Sequence, residues 1–265
     1  MNTTPITLDE ELFCTRYELE ILSGIVNLGM LERWVPGFCN PHTHKEHVCR
    51  YNWIKDFVKD KKVIDIACGS GYGSRLMATD GGAASVLAYD IDERSVKYAS
   101  IKNRHDKIIF EVQNAEKFET TDKADVIVSF ETIEHLQNPQ LFLQCVHKAL
   151  TTQGDFFVST PISYIALNEK PDNIHHVKEW GFLKFHDVLK EQFLIKDVYL
   201  QLYNVPPKTD NRIITRGLRK TGIAKMPSHI LIERLDPFKW QPEELAANII
   251  GTEWAGYQIV HCKKK

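Results

Sequence analysis

The chain has 265 residues, 43% hydrophobic and 26% charged, with a formal net charge of −2. That balance is ordinary for a globular chain long enough to bury a full core, and the near-neutral charge excludes little. No stretch approaches the roughly 18 apolar residues of a membrane span. The start, Met1 to Glu11, lacks a basic region followed by an apolar one, so a cytoplasmic protein is expected. The six cysteines (14, 39, 49, 68, 145 and 262) form no C-x-x-C pair, which favours reduced, mostly buried thiols over a disulfide frame.

In chain order, Leu8 to Leu28 and a segment from about His44 to Asp60 read as helices lying outside a sheet and roofing a ligand site. Between and within them, Cys39-x-x-His42-x-His44-x-x-His47-x-Cys49 carries sulfur and imidazole at short spacing, a set that could hold zinc. The spacing matches no usual paired-ligand module, and a polar helix start accounts for the histidines, so no metal is expected. The run Val63-Ile64-Asp65-Ile66-Ala67-Cys68-Gly69-Ser70-Gly71-Tyr72-Gly73 then reads as a buried parallel strand turning into a helix. Gly69 and Gly71 permit φ > 0 and close backbone approach. A dinucleotide fingerprint would need a glycine where Ser74 stands, so a nucleoside rather than a pyrophosphate is the expected occupant.

A second apolar strand, Val86 to Asp92, carries Asp90 about 20 residues past the glycine turn, where a carboxylate can accept both ribose hydroxyls. Strands near 62–67, 85–90, 107–112, 125–130 and 154–160 alternate with helical patterns, implying right-handed βαβ units and a parallel sheet. Asn138-Pro139 reads as the N-cap and first turn of the helix after the fourth strand, with apolar residues at 141, 142, 145, 146, 149 and 150 and Gly154 past its end. Two further strands are expected at Phe193–Leu200 and Gly256–Cys262. The roughly 50 residues between them, rich in proline, are long for a connection and suit a substrate-side cap. The expected division is therefore a helical cap at 1–60, a core at 61–203, an insertion at 204–255 and a last core strand at 256–265.

The segment from about 60 to 160 resembles the class I S-adenosylmethionine-dependent methyltransferases. Asp65-x-x-x-Gly69-x-Gly71-x-Gly73 matches their first motif and Asp90 their second. Asn114-Ala115-Glu116 sits where the family places residues beside the adenine, and Asp125 to Glu131 matches the strand bordering the methionine part. The resemblance implies a Rossmann-like, doubly wound, seven-stranded α/β sheet. It also implies S-adenosylmethionine as cofactor, S-adenosylhomocysteine as product, and cofactor contacts from Asp65, Ala67, Gly69, Gly71, Asp90, Ile91, Asn114, Ala115 and Phe130. Asp65 is expected to order the turn or meet the ammonium group, Arg50 to pair with the methionine carboxylate, and Tyr51 and Phe130 to lie beside the adenine or the sulfonium. Leu31 to Pro36, Glu46-His47-x-x-Arg50-Tyr51 and Asn173 to Trp180 further resemble a subgroup associated with glycan and O-antigen biosynthesis, from which the last segment departs at Ile174, His175 and Trp180.

A sulfonium methyl needs mainly a well-placed acceptor, and a hydroxyl acceptor gains from a base. The candidate bases are His135 and His175 or His176, with His176 favoured and His135 expected rather as a pocket wall or cofactor-side residue. The insertion carries Lys208, Arg212, Arg216, Arg219, Lys220, Lys225 and Arg234 against Asp210, Glu233 and Asp236, so an anionic acceptor such as a phosphorylated or nucleotide-linked sugar is expected there. RNA would fit that charge too, but Ser129-Phe130-Glu131-Thr132 has neither the Asp/Asn-Pro-Pro-aromatic motif nor the Pro-Cys pair of common nucleic-acid enzymes. The leading expectation is a sugar or glycan O-methyltransferase. RNA or protein methylation, or cofactor binding without catalysis, are the alternatives, and the oligomeric state is left open.

Overall fold

A computed structural model describes residues 5–28, 33–38, 41–162, 171, 173–204, 238–239 and 254–265. Cys39 and the basic residues of the insertion lie outside this set. Two helices, α1 (Leu8–Leu28) and α2 (Pro41–Val58), precede the alternation β1 (Lys62–Ile66), α3 (Tyr72–Thr79), β2 (Ser85–Asp90), α4 (Glu93–Lys102) and β3 (Ile108–Val112). It continues with β4 (Ala124–Phe130), a 3₁₀ turn at Ile133–His135, α5 (Pro139–Ala149) and β5 (Leu150–Ile162). The chain then runs through α6 (Phe182–Lys190), β6 (Phe193–Asn204), β7 (Phe238–Lys239) and β8 (Trp254–Lys264).

The strands form one sheet in the order β3-β2-β1-β4-β5-β8-β6-β7. β1 to β5 pair in parallel, while β8 runs antiparallel between β5 and β6. Among the described residues, seven strands run from 5 to 13 residues, and the eighth is a two-residue edge piece on β6 that the sequence reading did not include. Strand order reverses between β1 and β4, so a ligand crevice opens beyond their C-terminal ends.

Alternate residues of each central strand supply opposite cores, as a two-residue period requires. Ile64, Ile127 and Phe156 join Phe142, Val146 and Phe185 on one face, while Val63, Val126, Val128 and Phe157 join Tyr51, Ile54 and Val58 of α2 on the other. α1 rests on α4 through Cys14, Tyr17, Tyr98 and Ile101, with the Tyr17 and Tyr98 rings 4.7 Å apart. Asn138 caps α5, its side chain accepting from the Leu141 N–H.

The end of α5 differs from the expectation. Leu150, expected in the helix, instead opens β5, which starts earlier than expected, while Gly154 lies past the end of α5 and inside that strand. Pairing jumps from Ala124↔Leu150 to Val126↔Asp155, which leaves a bulge in β5. A Cβ on Gly154 would sit 2.7 Å from the Leu150 side chain and 3.1 Å from the Thr151 carbonyl, so the glycine serves that bulge. A glycine after a helical apolar pattern reads locally as a stop, and only the sheet pairing reveals its use.

Candidate active site

The three glycines after β1 each answer a different demand. Gly69 has φ +54° and nothing within 4 Å of the position a Cβ would take, so its bare face borders open space. Gly71, at φ +78°, is the N-cap of α3, and a Cβ there would lie 2.7 Å from both Ala99 and the Phe110 ring. At Gly73 a Cβ would fall 2.1 Å from the Tyr51 ring, so this glycine lets α2 close on α3. Ala67 precedes them at φ 59°, a left-handed conformation held by a non-glycine residue.

Asp65 lies beneath this turn, accepting from Ser74 Oγ at 2.6 Å. Burial pushes its carboxyl up to about 7 against the lowering effect of that hydroxyl, with the nearby Asp90 charge adding to the rise. Asp90 ends β2 with one carboxylate oxygen accepting from Gly69 N at 2.9 Å and the other from Asp92 N at 3.0 Å. The segment before α2 is stitched over both loops. Ser70 Oγ donates to the Trp34 carbonyl at 2.9 Å, and Arg33 pairs with Asp92 and reaches Ser95.

These elements enclose a cavity of about 430 Å³, a size suited to a nucleoside-sized ligand. Of the expected contacts, Ala67, Gly69, Asp90, Ile91, Asn114, Ala115, Phe130 and His135 line it. Asp65, Gly71, Arg50 and His176 do not. Ile91 stands 64% exposed at the rim, an apolar face awaiting cover. The roof adds Trp34, whose ring stacks on His47 at 5.4 Å and meets Tyr72 edge-on at 3.9 Å. Burial pushes the His47 imidazole down to about 3, so this ring is uncharged at neutral pH, and the cation of the roof is Arg33. Trp34 and Tyr72 stood in runs quoted from the sequence, but neither was expected as a cavity residue. Aromatic residues read as core until a cavity is found beside them.

The residues present fit S-adenosylmethionine. Asp90 keeps acceptor capacity for a ribose beside its two backbone donors. The bare face of Gly69 admits a close-lying chain, and uncharged aromatic rings suit a sulfonium.

Beyond β4 the wall changes character. Glu131, at φ 53°, lines the cavity and accepts from Ser159 Oγ at 2.7 Å. Arg50 is fully buried behind it, with its guanidinium 3.3 Å from Glu131, 2.7 Å from Gln201 Oε1 and 4.5 Å from the centre of the Tyr257 ring. The structure thus gives Arg50 a carboxylate partner of the chain's own rather than a place on the cavity wall. His135 Nδ1 meets the His175 carbonyl at 3.0 Å. His176 lies one ring further back, 4.8 Å from His135 centre to centre, with Nδ1 2.6 Å from Glu179 and Nε2 2.9 Å from Asn173 Nδ2. Both His176 nitrogens are therefore engaged, and of these two histidines the one that reaches the cavity is His135. Glu134 is wholly buried, and that burial, reinforced by the Glu131 charge, holds its carboxyl well above the usual range. It was not expected as a site residue, although a Glu-x-x-Glu-His run directly after an apolar strand was a readable signal.

The same region is matched by known proteins. Residues 57–215 match the family described as a methyltransferase domain. A protein of Mycobacterium tuberculosis named as a probable S-adenosylmethionine-dependent methyltransferase is 25% identical over 86% of this chain and 81% of its own length. One of Mycolicibacterium smegmatis with the same description is 28% identical over 60% of this chain, but the match spans only 62% of that protein. The ubiquinone biosynthesis O-methyltransferase of Pelagibacter ubique is 32% identical over 41% of this chain, which spans about half (49%) of that enzyme's length. Among solved structures, an S-adenosylmethionine-dependent methyltransferase of Mesorhizobium loti superposes with a TM-score of 0.51 at 15% identity, covering 83% of this chain and all of the other, a likeness of fold. With the sheet order, the glycine turn and the family match in agreement, the chain belongs to the methyltransferase-domain family, the class I S-adenosylmethionine-dependent methyltransferases.

Proposed function

We propose that this chain methylates a hydroxyl oxygen of a sugar or glycan acceptor in the cytoplasm. S-adenosylmethionine supplies an activated methyl group and leaves as S-adenosylhomocysteine. Asp90 would hold the ribose, Ile91, Asn114 and Ala115 the base, the Gly69 turn the amino-acid part, and Phe130 and Tyr51 the sulfonium side. The chain's main contribution is position, because holding the reactants together in near-attack geometry is worth effective molarities on the order of 10⁵ M or more.

The observation that carries an oxygen acceptor is His135. Its Nδ1 faces the His175 carbonyl, an acceptor that holds the proton on Nδ1, and the residue lines the cavity, so Nε2 is the nitrogen that would take a proton from the acceptor. Imidazole assistance matters for a hydroxyl, which must lose a proton as it is methylated. The likeness of Glu46 to Tyr51 and Asn173 to Trp180 to the glycan-associated subgroup supports a sugar, and the oxygen chemistry named for the Pelagibacter relative agrees with the reading. The basic residues of the insertion from Lys208 to Arg234, which lie outside the described residues, would cap the acceptor and favour an anionic one, a phosphorylated or nucleotide-linked sugar before RNA.

The test is incubation with methyl-labelled S-adenosylmethionine and separate fractions of glycans, sugar nucleotides, RNA and protein. Label in the sugar fractions is expected, and label confined to RNA or protein overturns the reading. His135→Ala should lower turnover by about 10²-fold or more while S-adenosylhomocysteine binding is kept.

A further inference from the structure

Glu134 and His135, from the 3₁₀ turn after β4, and His176, from the segment before α6, each bring one potential ligand atom within 4.8 Å of the other two. They are joined by backbone as well as by side chains, since the Val177 and Lys178 N–H groups both donate to the Glu134 carbonyl, at 2.8 and 3.1 Å. The two loops therefore form one platform beside the cavity wall.

The hydrogen bonds around this cluster have a common sense. Histidine ligands of metal ions are ordinarily oriented by donating the other ring N–H to a carbonyl or carboxylate. His135 does so through Nδ1 to the His175 carbonyl, and His176 through Nδ1 to Glu179 Oε1. Both imidazoles thus keep the Nε2 lone pair. Glu134 Oε2 accepts from Thr160 Oγ1 at 3.0 Å, while its Oε1 is buried with no hydrogen-bond partner, on a side chain that is 0% exposed. An unpartnered carboxyl oxygen in such a place is costly unless something else meets it.

We propose that Glu134, His135 and His176 form a binding site for a divalent first-row cation of the zinc or manganese type, placed to take the acceptor's oxygen as a further ligand. Two imidazoles and one carboxylate suit such ions better than calcium or magnesium, which prefer all-oxygen shells. Ligand atoms in a tetrahedral shell stand about 3.4 Å apart, so side-chain rotations of about 1 Å would close the site. The Nε2 of His176, which accepts from Asn173 Nδ2, would exchange that donor for the cation. Resting on the function proposed above, the inference changes the role of the histidines from proton acceptors to ligands. A cation acidifies an oxygen bound to it. The acceptor O–H gives its proton to solvent, its oxygen forms the new bond to the methyl carbon, and the carbon–sulfur bond breaks with its electron pair staying on sulfur.

The experiment uses the full chain, stripped with chelator and titrated with Mn²⁺ or Zn²⁺ by calorimetry, with electron paramagnetic resonance for Mn²⁺. One equivalent per chain is expected. Glu134→Gln, which keeps the side chain's volume and its Thr160 partner, and His176→Ala should each weaken it by about 10–100-fold, and Glu179→Gln, one shell out, by about 10-fold. Unfolding temperature and S-adenosylhomocysteine affinity are measured on every variant, so that a lost site is told apart from a lost fold. Absence of stoichiometric binding, or binding kept by a folded Glu134→Gln/His176→Ala variant, overturns the site. Methylation of a sugar fraction that survives chelation overturns it too and leaves the proposed function standing. Stoichiometric binding lost in those variants, with no methylation of any sugar fraction, upholds the site and removes the function.

Discussion

At the β1–β2 end of the cavity the wall is largely main chain: Ala67 and Gly69 in left-handed conformations, with the Gly69 N–H held by Asp90. At the β4 end it is largely side chain: Glu131 and His135 at the surface, with Arg50, Glu134 and His176 behind them. The turn behind this wall leaves no room for alternatives, since bulk added at Gly71 or Gly73 strikes Phe110 or Tyr51. A side-chain wall can change its chemistry without moving the strands that carry it. Recognition of a common donor suits the first construction, and recognition of a particular acceptor suits the second.

The contrast breaks most sharply at Arg50, a side chain on the acceptor side that the fold itself needs. Arg50→Ala leaves Glu131 and Gln201 without their buried partner, and chemical denaturation should show a loss of about 3–5 kcal/mol. On the backbone side, Gly71→Ala combines a left-handed residue with contacts at 2.7 Å, and a loss of about 3 kcal/mol is expected by the same measurement. Loss of binding without comparable loss of fold is expected at Asp90. Asp90→Ala should weaken S-adenosylhomocysteine by about 10–100-fold in a calorimetric titration, the worth of hydrogen bonds to a charged acceptor.

The most gradual effect is a pH slope from Asp65. Its carboxyl ionises near 7 in the fold and near 3.8 when released, so the folded chain holds a proton that the unfolded chain gives up in between. Its contribution is full below about pH 4 and is lost as pH rises to about 7, at no more than about 1.4 kcal/mol per pH unit. Asp65→Asn should remove this slope. If thermal unfolding of the two proteins between pH 4 and 8 gives parallel profiles, the buried carboxyl is not the source.

Local signals carried much of the architecture. Apolar runs with short polar breaks located the seven longer strands, and Asn138-Pro139 placed the start of α5, because period and capping are properties of neighbouring residues. Leu150 misled for the same reason, its place in β5 and the bulge after it being defined by a partner strand. The acceptor end was less legible. His135 and His176 are 41 positions apart, and Arg50 and Gln201 are separated by 151, so which nitrogen is engaged and which side chain reaches the cavity depend on chain crossings that no local pattern records.

The sequence by itself determined the order of strands and helices, the glycine turn and the carboxylate that ends β2, since each follows from short-range sterics and the two-residue or 3.6-residue periods. The tertiary structure alone decided that Gly73 serves the roof, that Arg50 answers Glu131, and that His135 stands at the cavity with His176 and Glu134 behind it. Those outcomes depend on close packing and burial, which act between residues distant in the chain and become defined only when the sheet has brought them together.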